Sequence, residues 1–251
     1  MPDEPRRPLD VPKAAPVEFE QNFITTAVCE LRFPTLLELE SRVPEDFQRA
    51  LRKDYPHYEK GQSALLGLRL STVQHHQFRS KDKHWTVVMH AFGLSLTSER
   101  YTNFEEFFSR FERLLKPAAK VLDTDFFTRL GLRYVNHLPV ALGALDGWVN
   151  PALIQPLVLG NFGDVDRCWQ EVRGRARDSS FSLRHGLGDA ENGAPGKYVI
   201  DLDFYAENGS WDGLVPALKL LHEQSSDLFR WVVGPRAIEA MGRQTQKGTR
   251  R

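Results

Sequence analysis

The sequence predicts an α+β fold with two similar halves, each ordered β-α-β-β-β-α, forming antiparallel sheet with the long helices packed on one face. Three observations lead to this prediction. Short runs of alternating apolar residues recur, a long apolar helical stripe closes each half, and the LRF of residues 31–33 returns as LRY at 132–134. We expect a single domain over 22–242, with halves 22–123 and 124–242.

The elements of the first half follow from alternation and from proline. Pro44 suits the first turn of a helix. The polar SKDK of residues 80–83 predicts a hairpin turn that places Phe78 opposite Trp85. Before the long helix, the predicted elements are a strand at 27–33, a helix at 44–54, a strand at 64–73 and a hairpin of 76–79 with 85–97.

The long helix of the first half has the clearest local signals. Asn103 is a favourable N-cap, and Glu106 follows three residues later as in a capping box. The apolar residues after Asn103 recur at helical spacing and form one stripe, which we expect to be buried against the sheet. The stripe consists of Phe104, Phe107, Phe108, Phe111, Leu114 and Leu115.

The second half repeats this order. Alternation is clearest in KYVIDLDFYA, residues 197–206, and a second apolar helix is expected to begin near Asp212. The predicted elements are strands at 128–137, 169–177, 181–187 and 197–206, a short helix at 148–158, the long helix from 212 and a short helix at 237–241.

Composition restricts the class of protein. Lys plus Arg and Asp plus Glu both number 33, so the net charge is zero; this removes the usual electrostatic argument for nucleic acid but does not exclude a basic patch. Two cysteines are too few to form a disulfide framework.

An apolar leader and a membrane-length apolar run are both missing, so we expect a cytoplasmic location without membrane contact. Residues 1–21 and the basic residues 243–251 are expected to be disordered tails.

The sequence predicts no catalytic residue, metal or cofactor. The loop GLGDAENGAPGK invites comparison with a phosphate-binding loop, but Glu191 stands five residues before Gly196, and Lys197 is followed by Tyr198. This spacing does not match a P-loop, and the loop joins two strands. We therefore interpret it as a hairpin loop.

Charged side chains fall on one face of the predicted sheet. Asp201 and Asp203 lie opposite Ile200 by strand alternation, and Arg173 and Arg175 alternate in the same way. Such a face suits charge-matched recognition. Cross-strand pairing of the arginines with the aspartates is the plain structural alternative. The predicted binding face consists of Arg32, Arg69, Arg133, Arg173, Arg175, Arg184, Asp201 and Asp203.

Two functions of different classes follow. The first is a non-enzymatic module that binds a protein partner through this face, with a second copy of the chain and nucleic acid as open alternatives. The second is a metal-dependent phosphoesterase or nucleotidyl-transfer enzyme, because Asp201 and Asp203 on one strand face have the carboxylates that Mg²⁺ prefers. We expect the first.

Four segments resemble a sporadically distributed, functionally uncharacterised bacterial family of similar chain length. They are AVCELRFP at 27–34, SERYTNFEEF at 98–107, RLGLRYVNHLP at 129–139 and LDFYAENG at 202–209. The resemblance brings no activity, cofactor or catalytic residue. Patchy distribution is typical of genes that move between genomes, including antiviral defence modules, so the resemblance implies an accessory or regulatory role in bacterial defence as an expectation.

Overall fold

A computed structural model describes much of the chain, and all structural statements below concern its described residues. These are residues 9–13, 19–41, 43–65, 71–140, 142–158, 163, 165, 167–176, 178–188 and 197–242. The predicted basic tail 243–251 and most of the predicted tail 1–21 lie outside them. Residues 20 and 21 are described, and their backbone N–H groups donate to the carbonyls of Gly242 and Met241.

Within the described residues the chain forms nine β-strands and six α-helices. The strands are β1 (Ile24–Arg32), β2 (His57–Leu65), β3 (Ser71–Arg79), β4 (Trp85–His90), β5 (Gly93–Ser98), β6 (Phe126–Leu138), β7 (Cys168–Arg175), β8 (Ser180–Leu187) and β9 (Tyr198–Ser210). The helices are α1 (Glu38–Ser41), α2 (Glu45–Leu51), α3 (Phe104–Leu122), α4 (Pro151–Val158), α5 (Leu214–Val232) and α6 (Pro235–Met241).

The nine described strands form one antiparallel sheet in the order β2-β3-β4-β5-β1-β6-β9-β8-β7. The predicted α+β class and antiparallel sheet are confirmed. The predicted order β-α-β-β-β-α is wrong for the first half, where four strands lie between the first helices and α3; three strands lie between α4 and α5, as predicted. The internal duplication and the packing of both long helices on one face stay predictions.

The chain divides into two compact units whose segments interleave along the sequence, so the units do not coincide with the two predicted halves. The β7 unit comprises Met1–Thr25, Val135–Asp203 and Glu223–Arg251. The β3 unit comprises Thr26–Tyr134 and Phe204–His222.

In the β3 unit, α3 forms where its local signals predict it. The backbone N–H of Glu106 donates to Asn103 Oδ1 at 2.8 Å, which caps the first turn. Phe107 and Phe111 are buried, and the Phe107 ring lies 5.9 Å from that of Trp85 on β4. The predicted burial of the apolar stripe is confirmed for these two residues, and Phe107 contacts the sheet.

In the β7 unit, alternation along β9 buries one face. Tyr198, Ile200 and Leu202 are almost inaccessible to solvent. The side-chain amide of Asn136 on β6 donates to the carbonyl of Ile200 at 3.3 Å. On β7, the amide of Gln170 donates to the carbonyl of Leu153 on α4 at 3.1 Å. Gln170 therefore ties one face of β7 to α4.

Two predicted strands and one predicted hairpin register are wrong. The predicted strand 85–97 is the hairpin of β4 and β5, which turns at Ala91 and Phe92, two apolar residues that give no turn signal. The predicted strand 64–73 contains the end of β2 and the start of β3. The β3–β4 hairpin pairs Phe78 with Val87, not with Trp85, because the backbone N–H of Ser80 donates to the carbonyl of Trp85 across a wider turn.

Candidate functional site

The strand β7 lies at one end of the sheet order and pairs with β8 alone among the described strands. Cross-strand partners include Glu171 with Arg184 and Arg173 with Ser182. Every residue of β7 is exposed or half-exposed, on both faces of the sheet. An edge strand of this kind can pair with a further strand.

The outer edge of β7 carries the backbone groups of every second residue. The backbone N–H of Ala176 donates to the carbonyl of Ser179 at 2.8 Å, which marks a hydrogen-bonded pair at the end of the β7–β8 ladder. Hydrogen-bonded pairs alternate along antiparallel strands, so Gly174 and Val172 point their backbone groups toward β8. The residues between them point theirs outward. These are Trp169, Glu171, Arg173 and Arg175.

Two large apolar side chains on β7 are exposed. Trp169 is 38% exposed and Val172 is 48% exposed, and they point to opposite faces because they are three residues apart. Among the described residues, the other exposed large hydrophobic side chains are Leu37 and Phe126. We define the β7 surface by the exposed members of β7 and their neighbour on β8. It consists of Trp169, Glu171, Val172, Arg173, Arg175 and Arg184.

Glu171 and Arg173 on the β7 surface are paired but stay in contact with solvent. Glu171 Oε1 accepts from Arg173 Nε at 3.0 Å and from Ser182 Oγ at 3.2 Å. The hydrogen bond from Arg173 lowers the pKa of the Glu171 carboxyl. The Arg173 side chain is nevertheless 76% exposed, and the Arg184 guanidinium lies 5.8 Å from the Trp169 ring. These groups can therefore contact a partner directly.

The two aspartates of the metal hypothesis differ in their burial. Asp201 is buried, and its Oδ2 lies 3.9 Å from Arg184 Nη1, whereas Asp203 is half-buried. The predicted pairing of Arg173 and Arg175 with these aspartates is wrong, because β8 lies between β7 and β9; Arg184 on β8 is the arginine beside Asp201. In the part of the chain that the structure describes, no three His, Cys, Asp or Glu side chains are grouped so that they could hold a metal ion.

Other members of the predicted face lie in the β3 unit. Arg32 Nε lies 2.9 Å and Arg129 Nη1 lies 3.0 Å from the same carboxylate oxygen of Glu30. The Arg129 guanidinium also covers the Tyr205 ring at 4.6 Å. Arg133 is exposed on β6. Arg69 lies outside the described residues. Strand alternation puts Arg129 on the same face as Arg133, so the place of Arg129 on this face could have been predicted from the sequence.

A partly buried polar cluster in the β3 unit was not predicted. Its members are Tyr101, Tyr134 and His222: the Tyr134 hydroxyl lies 3.2 Å from His222 Nδ1, and Tyr101 hydrogen-bonds to Tyr134. Burial raises the pKa of both tyrosines and lowers the pKa of His222 to about 4. All three groups are therefore neutral near pH 7. A general base works best with a pKa near the working pH, so the cluster suits structure better than proton transfer.

A cavity of about 510 Å³ lies between the end of α2 and the middle of α3, within the β3 unit. Two of the arginines that line it have partners. Arg113 lies 3.7 Å from Asp54, and Arg110 contacts Glu106 at 3.0 Å and covers the Trp85 ring at 4.3 Å. Arg113 thus links α3 to the segment that follows α2, and Arg110 links α3 to β4.

Comparison with known proteins gives no matching family model and no matching curated sequence. The predicted resemblance to a sporadically distributed bacterial family therefore stays a prediction. None of the described helices is long and apolar enough to cross a membrane.

Proposed function

We propose that this chain is a protein-binding module that recognises its partner through the β7 surface and has no catalytic turnover. The partner segment is extended, adds to the sheet as a strand beside β7, and presents charges complementary to Glu171 and Arg173. The observation that carries the proposal is the exposure of Trp169 and Val172 on opposite faces of a strand at the edge of the sheet.

The proposal follows from two properties of β7. Its outward backbone groups supply hydrogen bonds to an added strand, and alternate side chains supply specificity. Trp and Arg are the residue types that most often dominate binding energy at protein interfaces. The β7 surface combines Trp169 with Arg173, Arg175 and Arg184. Among the described residues, two of the four exposed large apolar side chains lie on this one strand.

The duplication hypothesis leads to the same edge of the sheet. If the halves are equivalent, β6, β9, β8 and β7 correspond to β1, β5, β4 and β3, because each series occupies successive places in the sheet order. The counterpart of β7 is then β3, which β2 covers along nine paired residues. Among the described strands, β7 has no such cover. An added strand would take the place on β7 that β2 takes on β3.

The enzymatic alternative has less support. Burial of Asp201 beside Arg184 favours an ion pair over a metal site, since a guanidinium and a divalent cation compete for the same carboxylate. Addition of Mg²⁺ or Mn²⁺ should not change the melting temperature of the wild type or of Asp201→Asn. A shift in the wild type alone would show a metal site at Asp201. An accessory role in bacterial defence stays a prediction from the resemblance.

Site-specific photo-cross-linking tests the proposal. The photoreactive residue p-benzoylphenylalanine replaces Trp169 in the chain expressed in its native cells, and illumination should trap a protein partner. The matched control places the same residue at Phe126, which is 43% exposed and lies on β6. Trapping at position 126 but not at 169 would show that recognition uses another surface.

A pair of substitutions at Arg173 tests strand addition. Arg173→Pro removes an outward N–H that an added strand needs, while an edge strand tolerates proline there. Arg173→Ala removes the same side chain but keeps the N–H. The proline variant should lose the cross-link from position 169, and the alanine variant should keep part of it. Equal trapping by both variants, or turnover of a substrate by the purified wild type, would overturn the proposal.

A further inference from the structure

We infer that the strand added to β7 is the β7 of a second copy of this chain, antiparallel and centred on Val172. The inference rests on the proposed function and specifies its partner. The β7 sequence, CWQEVRGR, contains neither Lys nor Pro, two residues that commonly protect edge strands from pairing with each other.

Backbone geometry limits the possible symmetric registers. Two copies of β7 related by a two-fold axis exchange hydrogen bonds only where outward-pointing residues face each other. The outward residues, derived above from the β7–β8 ladder, have odd numbers, so the axis must pass through a single residue and not between two. The candidates within the strand are therefore registers centred on residues 170 to 174.

Charge selects one of these registers. An axis at Glu171 or Arg173 sets that residue against itself, and an axis at Gly174 sets Arg173 against Arg175; each places like charges directly opposite, which is unfavourable. An axis at Gln170 leaves Arg173 and Arg175 without a partner inside the strand. An axis at Val172 sets Glu171 of each copy opposite Arg173 of the other, which gives two pairs of opposite charge.

The same register also uses both faces of β7. On the face of Glu171, Trp169 of each copy lies opposite Arg175 of the other, a pair suited to cation–π contact. On the opposite face, the two Val172 side chains meet on the axis as a non-hydrogen-bonded pair, where Cα atoms come within about 4.5 Å. The exposed Trp169 and Val172 thus both become covered, and the contact is self-complementary.

Charge reversal tests the register. Glu171→Arg and Arg173→Glu each create like-charge pairs across the axis, so each variant alone should dimerise at least about tenfold more weakly than the wild type. An equimolar mixture should recover the dimer, because both arginines of the first variant then face the two glutamates of the second. Sedimentation equilibrium measures the wild type, both variants and their mixture at one ionic strength. Weakening without recovery in the mixture would overturn the register.

Disulfide trapping is independent of the charge variants. Cys168 is a free thiol on the same strand, so all variants carry Cys168→Ser. In this background Val172→Cys places two thiols on the axis within disulfide range, so mild oxidation should produce a covalent dimer. Arg175→Cys is the matched control, because its thiol lies opposite Trp169 and should stay reduced. If the wild type is monomeric throughout the micromolar range and Val172→Cys yields no dimer, the inference is wrong. Photo-cross-linking from position 169 separates self-pairing from the proposed function. Capture of a different protein alone overturns the self-pairing and leaves the proposed function standing. No capture at all overturns both.

Discussion

The imidazole of His222 lies flat against the phenyl ring of Phe104, with centroids 3.7 Å apart and planes 5° from parallel. Its Nδ1 faces the Tyr134 hydroxyl at 3.2 Å. Burial lowers the pKa of His222 to about 4, and the nearby charge of Glu105 opposes this shift only in part. The ring is stacked on Phe104 and lies edge-on to Tyr134, and it is therefore held in its neutral form.

The free energy of unfolding should fall between pH 6.5 and pH 4 because of His222. In the unfolded chain its imidazole takes up a proton near the ordinary pKa of about 6.5. In the folded chain it does so only near pH 4. The unfolded state thus binds more protons in this window, so the stabilisation is complete above pH 6.5 and is lost as the pH falls. Urea unfolding at several pH values measures the slope.

A difference between variants isolates His222 from other histidines. Burial also lowers the pKa of His76, His90 and His185, and these act in the same direction. His222→Gln should therefore make the pH dependence shallower without abolishing it. His57→Gln, which removes an exposed imidazole, serves as the control for the substitution itself. Identical slopes for His222→Gln and the wild type would contradict the assignment.

Phe111→Ala should lower the free energy of unfolding by about 3–5 kcal/mol, because it opens a cavity beneath α3. The Phe111 side chain is buried within the apolar stripe of that helix. Phe126→Ala is the control; its ring is 43% exposed, and the loss should stay near about 1 kcal/mol. Urea midpoints of both variants measure the difference. Similar small losses would mean that the stripe is not part of the core.

The parts of the fold that local chemistry determines could be predicted. The cap at Asn103 and the helical spacing from Phe104 act within a few residues of each other, so α3 was placed at its observed start. The alternation of residues 197–206 likewise located β9, which extends to Ser210. Hairpin register was harder: the N–H of Ser80 pairs with the carbonyl of Trp85 across a turn that holds Lys83 at φ 62°, and nothing in SKDK specifies that width.

The candidate site depends on sheet order, which the sequence does not contain. Arg173, Arg175 and Arg184 were recognised from alternation, and the structure places them on one surface of the β7 unit. Trp169 was not recognised, because an aromatic residue in an alternating strand ordinarily predicts burial. Its exposure follows from the position of β7 at the end of the sheet. The cluster at Tyr134 was also missed, because its members come from three segments that are distant in the sequence.

Gly186→Ala should destabilise the protein by at least about 3 kcal/mol, because a Cβ at this position would collide with the backbone carbonyl oxygen of Cys168 on β7. Backbone cannot move aside as a flexible side chain does, and φ is 156°, a value that L side chains rarely adopt. Gly143→Ala is the control: nothing lies within 4 Å of its Cβ, so the change should stay within about 0.5 kcal/mol. Thermal melts that do not separate the two variants would contradict the placement of β7 against β8.

A double-mutant cycle should show strong coupling between His185 and Tyr198 in the β7 unit. Both side chains are buried, and the Tyr198 hydroxyl lies 2.7 Å from His185 Nδ1. Among the described residues, His185 Nε2 has no hydrogen-bond partner, so this bond is the one that compensates the ring for burial.

Either single substitution should leave a buried polar group without its partner, whereas the double substitution removes both. Tyr198→Phe and His185→Leu should each cost about 1–3 kcal/mol. The double variant should cost less than their sum by about 0.5–3 kcal/mol, because each single loss includes the penalty of the orphaned partner. Urea unfolding of the four proteins gives the coupling energy. Additive losses would mean that the two groups do not compensate each other and that their cost comes from lost packing alone.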